Sequence, residues 1–262
     1  MEFQYASDLH IDHFPTTNYT TLLTPVAPVL LLAGDICSAW KPRYASFLRW
    51  CSQRWRLVLV IAGNHEYFCE PDAPRTIDDT DAEIRRITTM LGNVVFLQNG
   101  DSVAVGGVRI VGATLWSAVD PAIHEAVLTK GDYTQTYTAT PYGIRSTTPM
   151  DICALHALHK ASLHSTLATY PHDRMILMTH HMPSYSLQEE VYRGKPYSSC
   201  YASADDDLFY HANLSAVVCG HSHRALRARV PTGALVVMNA RGYPKEARRL
   251  MGAYSATATF RV

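Results

Sequence analysis

The chain has no surplus of charge: 23 lysines and arginines are matched by 23 aspartates and glutamates. That balance leaves no whole-molecule field to draw nucleic acid or anionic lipid, so neither is expected as a partner. Long apolar runs are missing too. None approaches the length of a bilayer span, and no charged N-terminal region leads into an apolar stretch. Neither membrane insertion nor secretion is expected, and the cytoplasm is the expected location. The six cysteines include no Cys-x-x-Cys pair, which speaks against a disulfide framework and a thiolate zinc site. Repeats, low-complexity tracts and clear linkers are absent, and nothing indicates an oligomeric state. The reading that remains is one domain, residues 1–262, with 47% hydrophobic residues and enough length to bury its own core.

Within it, five short apolar runs end in clusters of metal-ligand residues. Residues 3–6 lead into Ser7-Asp8-Leu9-His10, Val29–Ala33 into Gly34-Asp35, and residues 57–62 into Gly63-Asn64-His65-Glu66. Residues 175–178 lead into Thr179-His180-His181, and residues 216–219 into Gly220-His221-Ser222-His223. Short apolar runs bounded by Gly and polar residues are buried strands. Ligands of open α/β sheets bind beyond the carboxyl ends of such strands. Helices are expected over about residues 44–55, 82–91 and 150–170, the last with Thr148, Pro149 and Asp151 as its capping signal. Further strands are expected at 94–97, 102–105, 108–111, 226–230, 234–238 and 254–262. The pattern predicts an α/β four-layer sandwich: two packed, largely mixed sheets with helices outside. Segments 116–148 and 184–202 lack clear periodicity, which marks them as loops near a site.

Singly, each cluster is no more than an Asx turn or a polar strand end. Taken in order, Asp8-x-His10, Gly34-Asp35, Gly63-Asn64-His65-Glu66, Thr179-His180 and Gly220-His221-x-His223 resemble the full signature of the calcineurin-like metallophosphoesterases. Thr114-Leu115-Trp116 and Asn239-Ala240-Arg241-Gly242-Tyr243 are similar to small stand-alone members. The resemblance implies one metal on Asp8, His10, Asp35 and His223, and a second on Asp35, Asn64, His180 and His221. His181 is the alternative to His180, or else faces substrate. A thiolate-free set of carboxylate, amide and imidazole donors suits Mn²⁺ first, then Fe²⁺ or Zn²⁺. Two such ions about 3.5–4 Å apart can present a metal-bound hydroxide and clamp an in-line displacement. His65, beside Asn64, is the candidate general acid. The expected activity is metal-dependent hydrolysis of a phosphomono- or phosphodiester, on a small molecule or nucleotide. The alternatives are a non-catalytic metal-binding scaffold of the same fold, or a nuclease.

Two departures narrow the family. Protein phosphatases extend the Gly-Asp motif with an Asp-Arg pair, which orients the catalytic His and grips phosphate; residues 36–40 here are Ile-Cys-Ser-Ala-Trp. Purple acid phosphatases place an iron-binding Tyr where this chain has Ser38. The residue orienting His65 is therefore unassigned. Arg145, Tyr185, Arg193, Arg224 and Arg241 are candidate substrate contacts, and Tyr133, Tyr137 and Tyr142 either stack on a nucleobase or pack their loop. Arg224, Arg227, Arg229 and the cluster at 245–249 make a small local basic bias. His156 and His159 are expected on a solvated helix face; His13, His124, His164, His172 and His211 show no partner pattern.

Overall fold

The computed structural model describes residues 1–247 and 253–262. Strands β1 (Glu2–Ala6), β2 (Val29–Ala33), β3 (Leu57–Ile61) and β4 (Val94–Phe96) pair side by side in parallel. The chain continues through β5 (Asp101–Val105) and β6 (Val108–Ala113), then a separate hairpin of β7 (Tyr137–Thr140) and β8 (Gly143–Ser146). It goes on through β9 (Arg174–Thr179), β10 (Leu214–Val218), β11 (Ala225–Arg229) and β12 (Leu235–Asn239). The order β11-β12-β10-β9-β6-β5 makes the second sheet, mixed in direction, and β13 (Thr259–Arg261) returns antiparallel to β1 in the first.

Period-two alternation produces the layers. Phe3, Tyr5, Val29, Leu31, Leu59 and Ile61 of the first sheet face Ile110, Ile176, Met178, Ala216, Val218 and Val237 of the second, forming one buried core between them. The intervening residues, Leu30, Leu32, Val58 and Val60, face outward against Tyr44, Phe47 and Leu48 of α1 (Pro42–Ser52) and Ile84 and Ile87 of α2 (Ile77–Thr89). Val111, Met175, Leu177 and Val217 pack outward against Leu163 and Leu167 of α3 (Pro149–Thr169). Each such side chain contributes about 1.5–3 kcal/mol through burial. The four layers are helix, sheet, sheet, helix. Among the described residues, no helix is long and apolar enough to cross a membrane.

The boundaries differ from expectation for local reasons. α2 starts five residues early because Thr76 caps Asp79 N–H while the Asp79 carboxylate accepts from Thr76 N–H, which places the acidic residues in the first turn. α1 ends at Ser52, where Gln53 caps it. The final strand contracts to Thr259–Arg261: Tyr254 Oη donates to Leu22 C=O and Ser255 N–H to Asn239 Oδ1, contacts that hold an irregular cover. His156 and His159 are buried rather than solvated. His156 Nδ1 lies 3.2 Å from Leu115 C=O and its Nε2 3.5 Å from the Asp205 carboxylate, a partner contributed by a distant loop. Of the basic cluster at 245–249, Arg248 and Arg249 lie outside the described residues.

Candidate metal centre

Strands β1, β2, β3, β9 and β10 end at a single edge, where the two sheets converge through a bridge between Ser7 and Ala240. Backbone bonds bring the strand-end loops together: Asp8 N–H to Gly34 C=O (3.0 Å), His10 N–H to Asp35 C=O (3.0 Å), and Gly220 N–H to His180 C=O (3.0 Å). The close approach demands glycine. Gly34 has φ +83°, and a Cβ on Gly63 would collide with the Asp35 carboxylate. Eight non-glycine residues among those described have positive φ, and five are sequence-predicted ligands: Asp8, His10, Asp35, His221 and His223. Such strain, about 1–3 kcal/mol per residue, concentrates at functional sites.

The side chains converge in two groups. Donor atoms of Asp8, His10, Asp35 and His223 lie within 4.8 Å of one another, as do those of Asp35, His180 and His221. The Asn64 carbonyl joins the second group, 3.2 Å from His180 Nε2 and 3.1 Å from His221 Nδ1. Asp35 is common to both. His10 Nε2 and His223 Nε2 approach to 2.9 Å. His181 belongs to neither group: its buried ring lies between Trp116 (centroids 5.5 Å) and His221 (4.0 Å).

The sequence-predicted ligands are braced from behind. His180 Nδ1 lies 2.8 Å from Ala33 C=O, His223 Nδ1 2.6 Å from Glu246 Oε2, and Asn64 Nδ2 donates to Asp132 Oδ1 at 2.7 Å. Each brace turns the opposite donor atom inward, as second partners of metal ligands do. Buried Glu66 accepts the N–H groups of Gly63, Asp35 and Ile36 at 2.6–2.8 Å, pinning two motif turns together. Burial and the Asp35 charge push its carboxyl up to about 8, against the pull of those backbone donors.

The electrostatics fit cations. Burial holds His10 and His221 well below the usual imidazole range, as neutral nitrogen donors. Against the cost of burial, His180 holds Asp35 well below the carboxylate range; burial likewise opposes charge on His180, but Asp35 raises it to about 10. A proton held that firmly marks negative potential of the kind a divalent ion neutralises. The residues present, oxygen and nitrogen donors without thiolate, fit two such ions.

His65 stands at the edge of the first group. Its backbone N–H donates to Asp35 Oδ1 at 2.9 Å, and its ring Nε2 lies 2.8 Å from the Tyr243 hydroxyl. Its ring rests 4.3 Å from that of Phe68, and burial lowers its pKa while Asp35 opposes the shift. A cleft of about 900 Å³ opens above the centre.

Sequence reasoning missed several cleft residues. Tyr243, Asp132 and Glu246 carried no assigned role, and His13, expected to have no partner, lies with His10 and His65 in a third convergent imidazole group. Tyr243 ends the 239–243 motif, which was the one signal available; the irregular stretch around Asp132 offered none.

The expected substrate contacts scatter. Arg145 sits on β8, bound through two nitrogens to Asp151 and outside the cleft lining. Arg241 donates to Leu9 C=O and stacks over Phe14 at 3.5 Å, also outside the lining. Arg193 is tied to Ser186 and Gln188 C=O, whereas Arg224 reaches the cleft while donating to Leu187 C=O. Tyr133 lines the cleft from a buried position; Tyr137 is buried in β7 and Tyr142 fully exposed on the β7–β8 hairpin, both outside the lining.

Known proteins share this framework. A model of the calcineurin-like phosphoesterases matches residues 5–225. An uncharacterized protein of Acanthamoeba polyphaga mimivirus is 21% identical over 263 residues, covering 93% of this chain and 91% of its own. The crystal structure of phosphopantetheinyl hydrolase from Mycobacterium tuberculosis superposes with a TM-score of 0.73 at 19% identity, covering 98% of this chain and 95% of its own. A dimetal phosphatase from Danio rerio gives 0.53 at 12% identity, covering 93% and 88%. With a family match over most of its length and two mixed sheets that bring together His and Asp groups able to hold metal at one edge, the chain belongs to the calcineurin-like phosphoesterases, hydrolases whose chemistry depends on divalent metal ions.

Proposed function

We propose that the protein hydrolyses a small phosphomono- or phosphodiester with two divalent ions, Mn²⁺ first among them and Fe²⁺ or Zn²⁺ next. Asp8, His10, Asp35 and His223 would hold one ion, and Asp35, Asn64, His180 and His221 the other. The observation that carries this reading is the Asp35 carboxylate shared by two convergent donor groups, with His65 against it. Bound there, two ions would supply the positive charge that draws a phosphoryl group and lowers the pKa of water toward ~7. His65 delivers a proton to the departing oxygen. Tyr243 holds His65 through Nε2, the orienting part taken by an Asp in the protein phosphatases, and an incoming phosphate anion raises the imidazole's proton affinity against burial. His180 rather than His181 fills the ligand position, because the Nε2 of His180 points at Asn64 and Asp35. The six free cysteines suit the cytoplasm, where we place the protein.

The test is hydrolysis of aryl phosphomono- and diesters by protein reconstituted with Mn²⁺, Fe²⁺ or Zn²⁺, with chelator and Asp35→Asn controls. Chelation and the substitution are expected to abolish turnover; equal turnover by Asp35→Asn would overturn the reading. A phosphopantetheinyl ester, the chemistry that names the mycobacterial relative, belongs on the substrate panel.

A further inference from the structure

The cleft is far larger than a phosphoryl group, of a volume that holds a whole ligand, and the three lysines that line it differ in their partners. On the His65 side, Lys41 is paired with Asp12 at 2.8 Å. Lys130 and Lys195 also line the cleft, without an ion-pair partner among the described residues. Beside them stand three phenol rings: Tyr192 is 61%, Tyr197 43% and Tyr201 46% exposed. Tyr201 lies against His221, centroids 5.2 Å apart, and so reaches the metal centre; Lys130 Nζ lies 5.5 Å from the centre of Tyr197. Glu70 and Glu189 are the exposed carboxylates in the lining, and neither is ion-paired to Lys130 or Lys195 among the described residues.

The wall is held in shape. Gln188 Nε2 donates to Ser198 C=O (2.9 Å), Lys195 N–H to Ser198 Oγ (3.1 Å), and Arg193 clasps the carbonyls of Ser186 and Gln188. Clustered aromatic rings exposed on a fixed surface mark a binding site. Phenol faces accept a planar ring, and two uncompensated ammonium groups accept a second anion.

We propose that this wall is the subsite for the organic part of the substrate. It selects a nucleotide ester, whose base lies on Tyr192 or Tyr197 while a phosphate beyond the scissile one sits between Lys130 and Lys195. The proposal rests on the phosphoesterase reading and deepens it.

The experiment compares kcat/KM of the metal-reconstituted protein for adenosine 3′,5′-bisphosphate, a phosphomonoester with a second phosphate, and for p-nitrophenyl phosphate, beside calorimetric binding of ADP. The nucleotide is expected to be preferred at least tenfold. Tyr197→Ala and the double variant Lys130→Gln/Lys195→Gln are each expected to lower the ratio of the two kcat/KM values about tenfold and to weaken ADP binding, the lysine effect shrinking as salt rises. A wild-type protein active on the aryl ester but without nucleotide preference, or variants that leave the ratio unaltered, would overturn the subsite and leave the phosphoesterase reading standing. ADP binding that depends on the wall, with no metal-dependent hydrolysis of any ester, would support the subsite and sink the phosphoesterase reading.

Discussion

The floor of the cleft and its aromatic wall are built by opposite means. On the floor, Asp8, His10, Asp35 and His180 are almost wholly buried, on loops bonded to one another where β1, β2 and β9 end. The wall consists of short 3-10 turns, Glu190–Tyr192 and Pro196–Cys200, with rings and ammonium groups in solvent. A sheet edge can place buried charges to within a few tenths of an ångström because neighbouring strands fix every donor. Surface turns can change without disturbing that core. On the proposed reading, reaction type belongs to the floor and choice of substrate to the wall.

Substitutions can break or sharpen this division. The largest expected effect is on the floor: His65→Ala should lower kcat by about 10²–10⁴ and keep both metals, with smaller losses on esters of very good leaving groups. Loss of metal in that variant would remove His65 as proton donor. Next comes the helix behind the wall. Burial holds His159 down at about 4, against 6.5 in an unfolded chain. The folded state keeps this imidazole neutral, so its contribution to stability is complete above pH 6.5 and is lost as pH falls toward 4, on the order of 3 kcal/mol in all. Thermal unfolding across that range should show a shallower acid loss for His159→Leu than for wild type; equal slopes would exclude it.

Smaller effects concern the braces. Asp132→Asn and Glu246→Gln should each weaken metal binding about 10–100-fold, read by titration against a competing chelator, with activity recovered at high metal. Unchanged affinity would mean that Asn64 and His223 hold their orientation alone. Tyr243→Phe keeps the ring against His10 and removes only the hydroxyl. The expected cost is up to about tenfold in kcat, with metal content and KM unchanged; an altered metal content would make Tyr243 a support of the floor instead.

The contrast also explains what the sequence disclosed. Asp8, Asp35 and His221 follow short apolar runs bounded by glycine or polar residues, so run length and position marked them as strand-end residues. The sandwich was legible in the alternation of strands and helices at the start of the chain and in its strand-rich end. Tyr243 touches His65 across 178 residues of sequence, a contact that only the convergence of two sheets creates. His156 looked solvated because Asp205 approaches it from a loop without periodicity. The 3-10 turns of the wall are too short to leave a repeat, so Tyr197 and Lys195 looked like ordinary loop residues.

On the proposed reading, Asp35 joins two metal positions into one reaction centre. The most direct test of this reading is the metal content of wild type and Asp35→Asn after identical reconstitution and dialysis, alongside far-ultraviolet circular dichroism to verify folding. Two divalent ions are expected per folded wild-type chain and at most one in the variant. Two ions retained by a folded Asp35→Asn protein would contradict it.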